Sequence, residues 1–325
     1  SMVYSTLGVT QFTEIGSSLA IPGEVSPALW AGLALLVVGL GFKISAVPFH
    51  MWAPDVYEGA PLPVTAYLAI ASKAAAFALI LRLVVEALVP APALWSQWQI
   101  ILAVLASVTM IVGNLVALAQ TNIKRLLAYS SIGHAGIILA GITALAPVSV
   151  LASNGVILYL VGYSITSMVV FAGIISFFNL TGREEIADLG GLADRQPFLA
   201  ASLAIGLFSL GGLPIFAGFA IKFYLFVAIA NEGFLWLAGL AIFASLISIY
   251  YYLQVIRQMY IEPVPEYATA GVQGITSCSS QVLSPSPLMM GVIAVGLLAV
   301  VFVGVYPAPV LDLIEAASQA ILTEP

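Results

Sequence analysis

The sequence predicts an all-α fold, a polytopic transmembrane bundle of about eight helices, two of them broken. Three observations predict it. Of 325 residues, 62% are hydrophobic and 7% charged, whereas a soluble domain carries roughly 25% charged residues. Such a chain cannot cover a water-facing surface. The apolar runs reach the roughly 20 residues that cross a hydrocarbon core, and they are too long for barrel strands, which alternate over about ten residues. Prolines and paired glycines interrupt two of these runs, each close to a lysine.

The elements follow in order. Residues 1–26 read as an N-terminal segment without a signal-peptide pattern. The opening after Ser1, MVYSTLGVTQ, reads as the continuation of a longer chain. The transmembrane domain is expected over 27–306, with spans at Pro27–Val47, Val64–Val89, Trp98–Ala119, Ile123–Leu145, Val148–Leu180, Phe198–Ala230, Phe234–Tyr260 and Leu288–Tyr306. The sixth is interrupted by Gly211-Gly212-Leu213-Pro214. Residues 261–287 are a polar loop rich in Pro, Ser and Gly. The last segment, 307–325, holds a short amphipathic helix from Val310 to Leu322, expected to lie at the interface.

Orientation follows from the basic residues. Lys124, Arg125, Arg183, Arg195 and Arg257 all fall on one side if the helices alternate. The opposite loops hold Glu232, Asp312 and Glu315, with Arg82 the nearest exception, inside the second span. The basic loops are therefore expected in the cytoplasm, and 1–26 and the C-terminus on the periplasmic side. The net charge of −6 arises from loops and tails, and nothing points to nucleic acid.

Three lysines remain inside apolar spans: Lys43, Lys73 and Lys222. Each costs roughly 2.5–3.5 kcal/mol on an insertion scale. Near a helix end a lysine can snorkel to the headgroups, an alternative that bears most on Lys43. Three such residues in one chain favour a buried ion or proton path, and a lysine can release its proton where an arginine cannot. His134, in YSSIGHAG, shares a helix face with Ser130 and Ser131. It is either a histidine satisfied within a helix contact or a proton relay. Tyr159, Tyr163, Thr166 and Ser167 form a polar stripe on the fifth span, as interhelical glue or as the wall of a hydrated channel.

Pro48 follows Lys43 by five residues, and Gly211, Gly212 and Pro214 precede Lys222. A proline bends a helix and frees a carbonyl. Irregular backbone at membrane depth is tolerated where it is buried in protein or lines water. Paired broken helices are a sign of repeats in transporters, and the opposed directions of these two fit an inverted repeat. Pro48 is expected to open backbone to water beside Lys43. The turn from His50 to Pro63, with Asp55 and Glu58, is expected to cap that site on the cytoplasmic side.

Other chemistry is not supported. No glycine-rich nucleotide motif precedes a helix. His50 and His134 are too few for paired haem ligation, and the single cysteine, Cys278, can build neither a disulfide framework nor an iron–sulfur site.

The stretch GFKISAVPFHMWAPDVYEGAPLPVTAYLAIASKAAAFALILR resembles the antiporter-like membrane subunits of respiratory complex I, the NADH–quinone oxidoreductase. NLVALAQTNIKRLLAYSSIGHAGIIL, SLGGLPIFAGFAIKFYLF and VGVYPAPVLDL match the same family in the same order, and PDVYEGAP marks one branch of it. The resemblance implies fourteen helices, of which these eight are the last, so that the N-terminal part of the fold, with a glutamate partner for Lys43, lies outside this chain. Glu14 and Glu24 are no substitute. It assigns proton translocation to Lys43, Lys73 and Lys222, with His134 on the axis between them; Pro48, His50, Asp55, Glu58, Pro214 and Tyr163 are supporting residues.

The resulting expectation is a multi-pass translocase subunit in the bacterial inner membrane. It would have no cofactor of its own, because NADH, flavin, iron–sulfur clusters and quinone belong to other subunits. Its partners would be other membrane-arm subunits, lipid, protons and internal water. The alternatives are a subunit of a multi-subunit sodium/proton antiporter, a structural membrane-arm scaffold, and a membrane subunit of a related hydrogenase or methanophenazine-linked complex.

Overall fold

A computed structural model describes residues 2–21, 26–146, 149–264 and 286–323. Two short helices come first, α1 (Met2–Leu7) and α2 (Phe12–Ala20). Then follow α3 (Pro27–Ile44), α4 (Trp52–Gly59), α5 (Leu62–Leu88), α6 (Pro92–Ala117), α7 (Ile123–Thr143) and α8 (Leu151–Thr181). A short 3-10 turn, Ile186–Leu189, and α9 (Leu192–Arg195) lead into α10 (Pro197–Gly211), α11 (Ala217–Asn231), α12 (Leu235–Tyr260), α13 (Pro287–Val305) and α14 (Ala308–Thr323). Among the described residues, seven helices are long and apolar enough to cross a membrane. The apolar half-helices α10 and α11 supply the interrupted span. The protein is a multi-pass all-α membrane protein, and the spans lie within a few residues of their expected places, except that α6 starts six residues early. Glu24, Val148, Cys278 and most of the 261–287 loop lie outside the described residues.

The bundle is built around α7. Nearly all of its side chains are buried, whereas only Ile293, Val300 and Val303 of α13 are. Small residues let the neighbours approach α7. A Cβ at Gly136 would stand 2.7 Å from the backbone nitrogen of Met110, so α6 and α7 touch backbone to backbone. Asn122 caps α7 by accepting from Lys124 N at 2.8 Å and Arg125 N at 3.3 Å.

The first break differs from the expectation of a cap made only of turn. The helix stops at Ile44, Ser45 takes a left-handed conformation (φ 62°), and Val47–Pro48 is a cis peptide. The chain then resumes as helix over Trp52–Gly59, so the PDVYEG residues are helical. The loosened backbone finds side-chain partners. Trp52 Nε1 donates to Phe42 O at 2.9 Å, and Val47 N donates to Thr109 Oγ1 of α6 at 3.1 Å. The second break ends α10 with Gly212 at φ 89°, and Gly212 N and Leu213 N donate back to Phe208 O. Here α11 approaches so closely that a Cβ at Gly218 would lie 1.5 Å from Ser209 O. Ser209 Oγ accepts from Gly218 N at 3.1 Å and pairs with Thr166 Oγ1 at 3.0 Å, fastening the two half-helices to each other and to α8.

Candidate functional site

Lys73, His134 and Lys222 are all buried. Lys73 stands where α5 returns from a π-helical turn (Leu68–Ser72) to regular α-helix, an irregularity frequent at functional sites. Its Nζ donates to Ser131 Oγ of α7 at 2.7 Å, and that hydroxyl donates to Ala128 O at 2.9 Å. The ring of Tyr57 lies 5.9 Å from the same ammonium. Beside Lys73, Ser131, His134 and Tyr163 is a small cavity that leaves about 10 Å³ for the centre of a water molecule.

One turn along α7, both ring nitrogens of His134 face phenols. Nδ1 is 2.7 Å from Tyr159 OH, and Nε2 is 3.4 Å from Tyr252 OH. The Tyr163 ring packs at 5.0 Å. Ser130 hydrogen-bonds Tyr252 OH, and the neighbouring Tyr251 OH donates to Asn114 Oδ1 at 3.1 Å. The face shared by Ser130, Ser131 and His134 is thus the polar side of the most buried helix.

Lys222 reaches back across the second break. Its Nζ donates to Leu210 O at 2.8 Å and Gly211 O at 3.0 Å. These carbonyls belong to the last turn of α10, which has no intrahelical donors for them. A break that frees carbonyls has therefore been used to hold an ammonium, a stronger interaction than a neutral hydrogen bond. Pro214 sits in the intervening turn and is exposed.

Lys43 is not part of this cluster. It is exposed on the last turn of α3. Pro48 is exposed beside it, while Ser45 Oγ and His50 Nδ1 are buried without hydrogen-bond partners. Asp55 and Glu58 both accept from Arg125 Nη1, at 2.9 and 2.7 Å. Tyr57, Tyr251, Tyr252, Asn114 and Ser209 were not anticipated. The signal for the tyrosines was weak: Tyr250, Tyr251 and Tyr252 are adjacent in an apolar helix, and only the last two turn inward.

A multi-pass all-α bundle with an interrupted apolar span is the architecture of an antiporter-like membrane protein. The chain belongs to the family described as NADH:quinone oxidoreductase/Mrp antiporter, transmembrane, which matches residues 1–248. It is 45% identical over 309 residues to the NADH-quinone oxidoreductase subunit N of Moorella thermoacetica, covering 95% of this chain and 61% of that one. Among solved structures it resembles a chain of respiratory complex I from Thermus thermophilus with bound aureothin (31% identity, TM-score 0.73, 96% of this chain and 63% of that one). It also resembles a chain of an archaeal membrane-bound sulfane sulfur reductase (26% identity, TM-score 0.80, 99% and 61%). The chain spans just over three-fifths of the length of the curated relatives it matches.

Proposed function

We propose that this chain is the proton-translocating part of a subunit N of NADH–quinone oxidoreductase, in the bacterial inner membrane. Quinone reduction elsewhere in the complex would drive changes in the charge state of its lysines. The single observation that carries this is that Lys73, bonded to Ser131, shares a small buried cavity with His134, whose two ring nitrogens face the hydroxyls of Tyr159 and Tyr252. Each of these side chains is a hydrogen-bond donor or acceptor, and Lys222 is a further buried lysine beside the second break. The other subunits would hold NADH, flavin, iron–sulfur clusters and quinone, and other membrane-arm subunits and lipid would surround this chain.

In this proposal Lys73, His134 and Lys222 carry the proton, Tyr163 walls the track, and Pro214 shapes the turn beside the Lys222 cage. Lys43, with Pro48 and His50, provides an outer station at the first break. Asp55 and Glu58 support it from the cytoplasmic side. Residues 27–306 form the translocating domain and correspond to the last eight of fourteen family helices. Residues 1–26 lie towards the periplasm, 307–325 rest at the interface, and the basic loops face the cytoplasm.

The test is Lys73→Ala in the full-length subunit within its assembled complex. Assembly is expected to persist and proton translocation to be lost. Normal proton stoichiometry in that variant would overturn the proposal.

A further inference from the structure

Asp55 and Glu58 are three residues apart and share one face of α4. Tyr57 is two residues beyond Asp55, roughly 200° around the helix, so the same eight residues present acids outward and a phenol inward. Tyr57 is fully buried against Lys73. Its hydroxyl lies on the side of Ser131, the acceptor for Lys73, and has no hydrogen-bond partner among the described residues. A buried phenol normally finds one.

A helix of eight residues has little stability of its own, so its neighbours fix where it sits. On the outer side Arg125 Nη1 binds Asp55 and Glu58 together, while its Nε donates to Gln120 Oε1 at 3.3 Å. Next to it, Lys124 Nζ pairs with Glu184 at 2.7 Å and approaches Ala60 O at 3.5 Å, just past the end of α4. On the inner side Thr65 Oγ1 donates to Tyr57 O at 3.0 Å. Arg125 and Ser131 belong to the same helix, α7. One rigid element therefore sets both the outer anchor of α4 and the hydroxyl that Tyr57 faces.

We propose that Arg125, Asp55 and Glu58 form an ionic latch that seats Tyr57 against Lys73, making the Tyr57 hydroxyl a further member of the proton track and Arg125 a positioning residue. This rests on the function proposed above. The Tyr57 hydroxyl hydrogen-bonds an internal water, which completes a ring with Ser131 and the Lys73 ammonium and gives the lysine's proton a second acceptor. The PDVYEGAP segment is thereby one device: its acids are held by Arg125 so that its tyrosine reaches Lys73.

The experiment uses the assembled complex in membrane vesicles, with assembly followed on native gels and proton translocation measured per electron pair. Tyr57→Phe keeps the ring and removes only the hydroxyl. It is expected to assemble normally and to translocate roughly two- to tenfold more slowly, the worth of one hydrogen bond. Arg125→Gln is expected to match it, and Arg125→Lys to recover most of the rate. The double variant is expected to be no worse than the poorer single one, because both act through one contact. Wild-type translocation in Tyr57→Phe, or multiplicative losses in the double variant, would overturn the latch. If Lys73→Ala abolishes translocation while Tyr57→Phe is silent, the inference alone falls; if Lys73→Ala is also silent, the proposed function falls with it.

Discussion

Gly212 offers a controlled way to disturb Lys222 without touching it. Its φ of 89° lies where a side chain is strained, and a Cβ there would meet Lys222 Cδ at 3.0 Å and Nζ at 3.4 Å. Gly233 has nearly the same φ, 87°, but a Cβ there meets nothing within 4 Å. Gly212→Ala and Gly233→Ala should therefore carry the same backbone cost of roughly 1–2 kcal/mol. Only the first also displaces the lysine. Lys222 Nζ holds its carbonyls at 2.8 and 3.0 Å, and a shift of a few tenths of an ångström would weaken both bonds. A combined loss of about 1 kcal/mol corresponds to roughly a fivefold fall in rate. Proton translocation, normalised to assembled complex, should thus fall about fivefold in Gly212→Ala relative to Gly233→Ala. Equal translocation in the two variants would refute the carbonyl cage as a functional seat for Lys222.

The packing around α7 yields two further expectations. Gly136→Leu would drive its side chain into the α6 backbone at Met110, and it should cost at least about 1–3 kcal/mol, seen as reduced assembly on native gels or a lower melting temperature in detergent. Ser209→Ala removes the acceptor of Gly218 N and the partner of Thr166. It should destabilise the bundle by about 1–3 kcal/mol, read by thermal unfolding, whereas Ser202→Ala, whose hydroxyl bonds only within its own helix, should have little effect.

The fold was legible because apolar length and scarce charge leave few alternatives. The second break was visible as Gly211-Gly212-Leu213-Pro214 inside an apolar run, and α10 ends there. Lys73, His134 and Lys222 were legible as candidates because each is a costly group in an apolar run, and all three are buried. The partners were not. Tyrosine, serine and asparagine are tolerated on many faces of a membrane helix, so sequence alone could not separate Tyr252, which reaches His134, from Tyr250, which is exposed. The pairing of Arg125 was hidden for a different reason. Counted as a loop charge that sets orientation, it is engaged by two acids some seventy residues earlier in the chain.

The two breaks were expected to be counterparts, and their chemistry is only partly parallel. Each interrupts a span beside a lysine, and each contains a left-handed residue, Ser45 or Gly212. At the second break the lysine lies on the far half-helix and folds back to take the freed carbonyls. At the first, the lysine precedes the break and is exposed, and a freed carbonyl is taken by an indole, from Trp52. What remains buried there without partners is Ser45 Oγ and His50 Nδ1, polar atoms of the kind that internal water satisfies. The Lys222 break is thus complete within the described residues, with donor and acceptors matched. The Lys43 break has unused hydrogen-bonding capacity inside and an unburied cation outside. An inverted repeat would account for the shared backbone design; it would not require the two lysines to occupy equivalent environments, and here they do not.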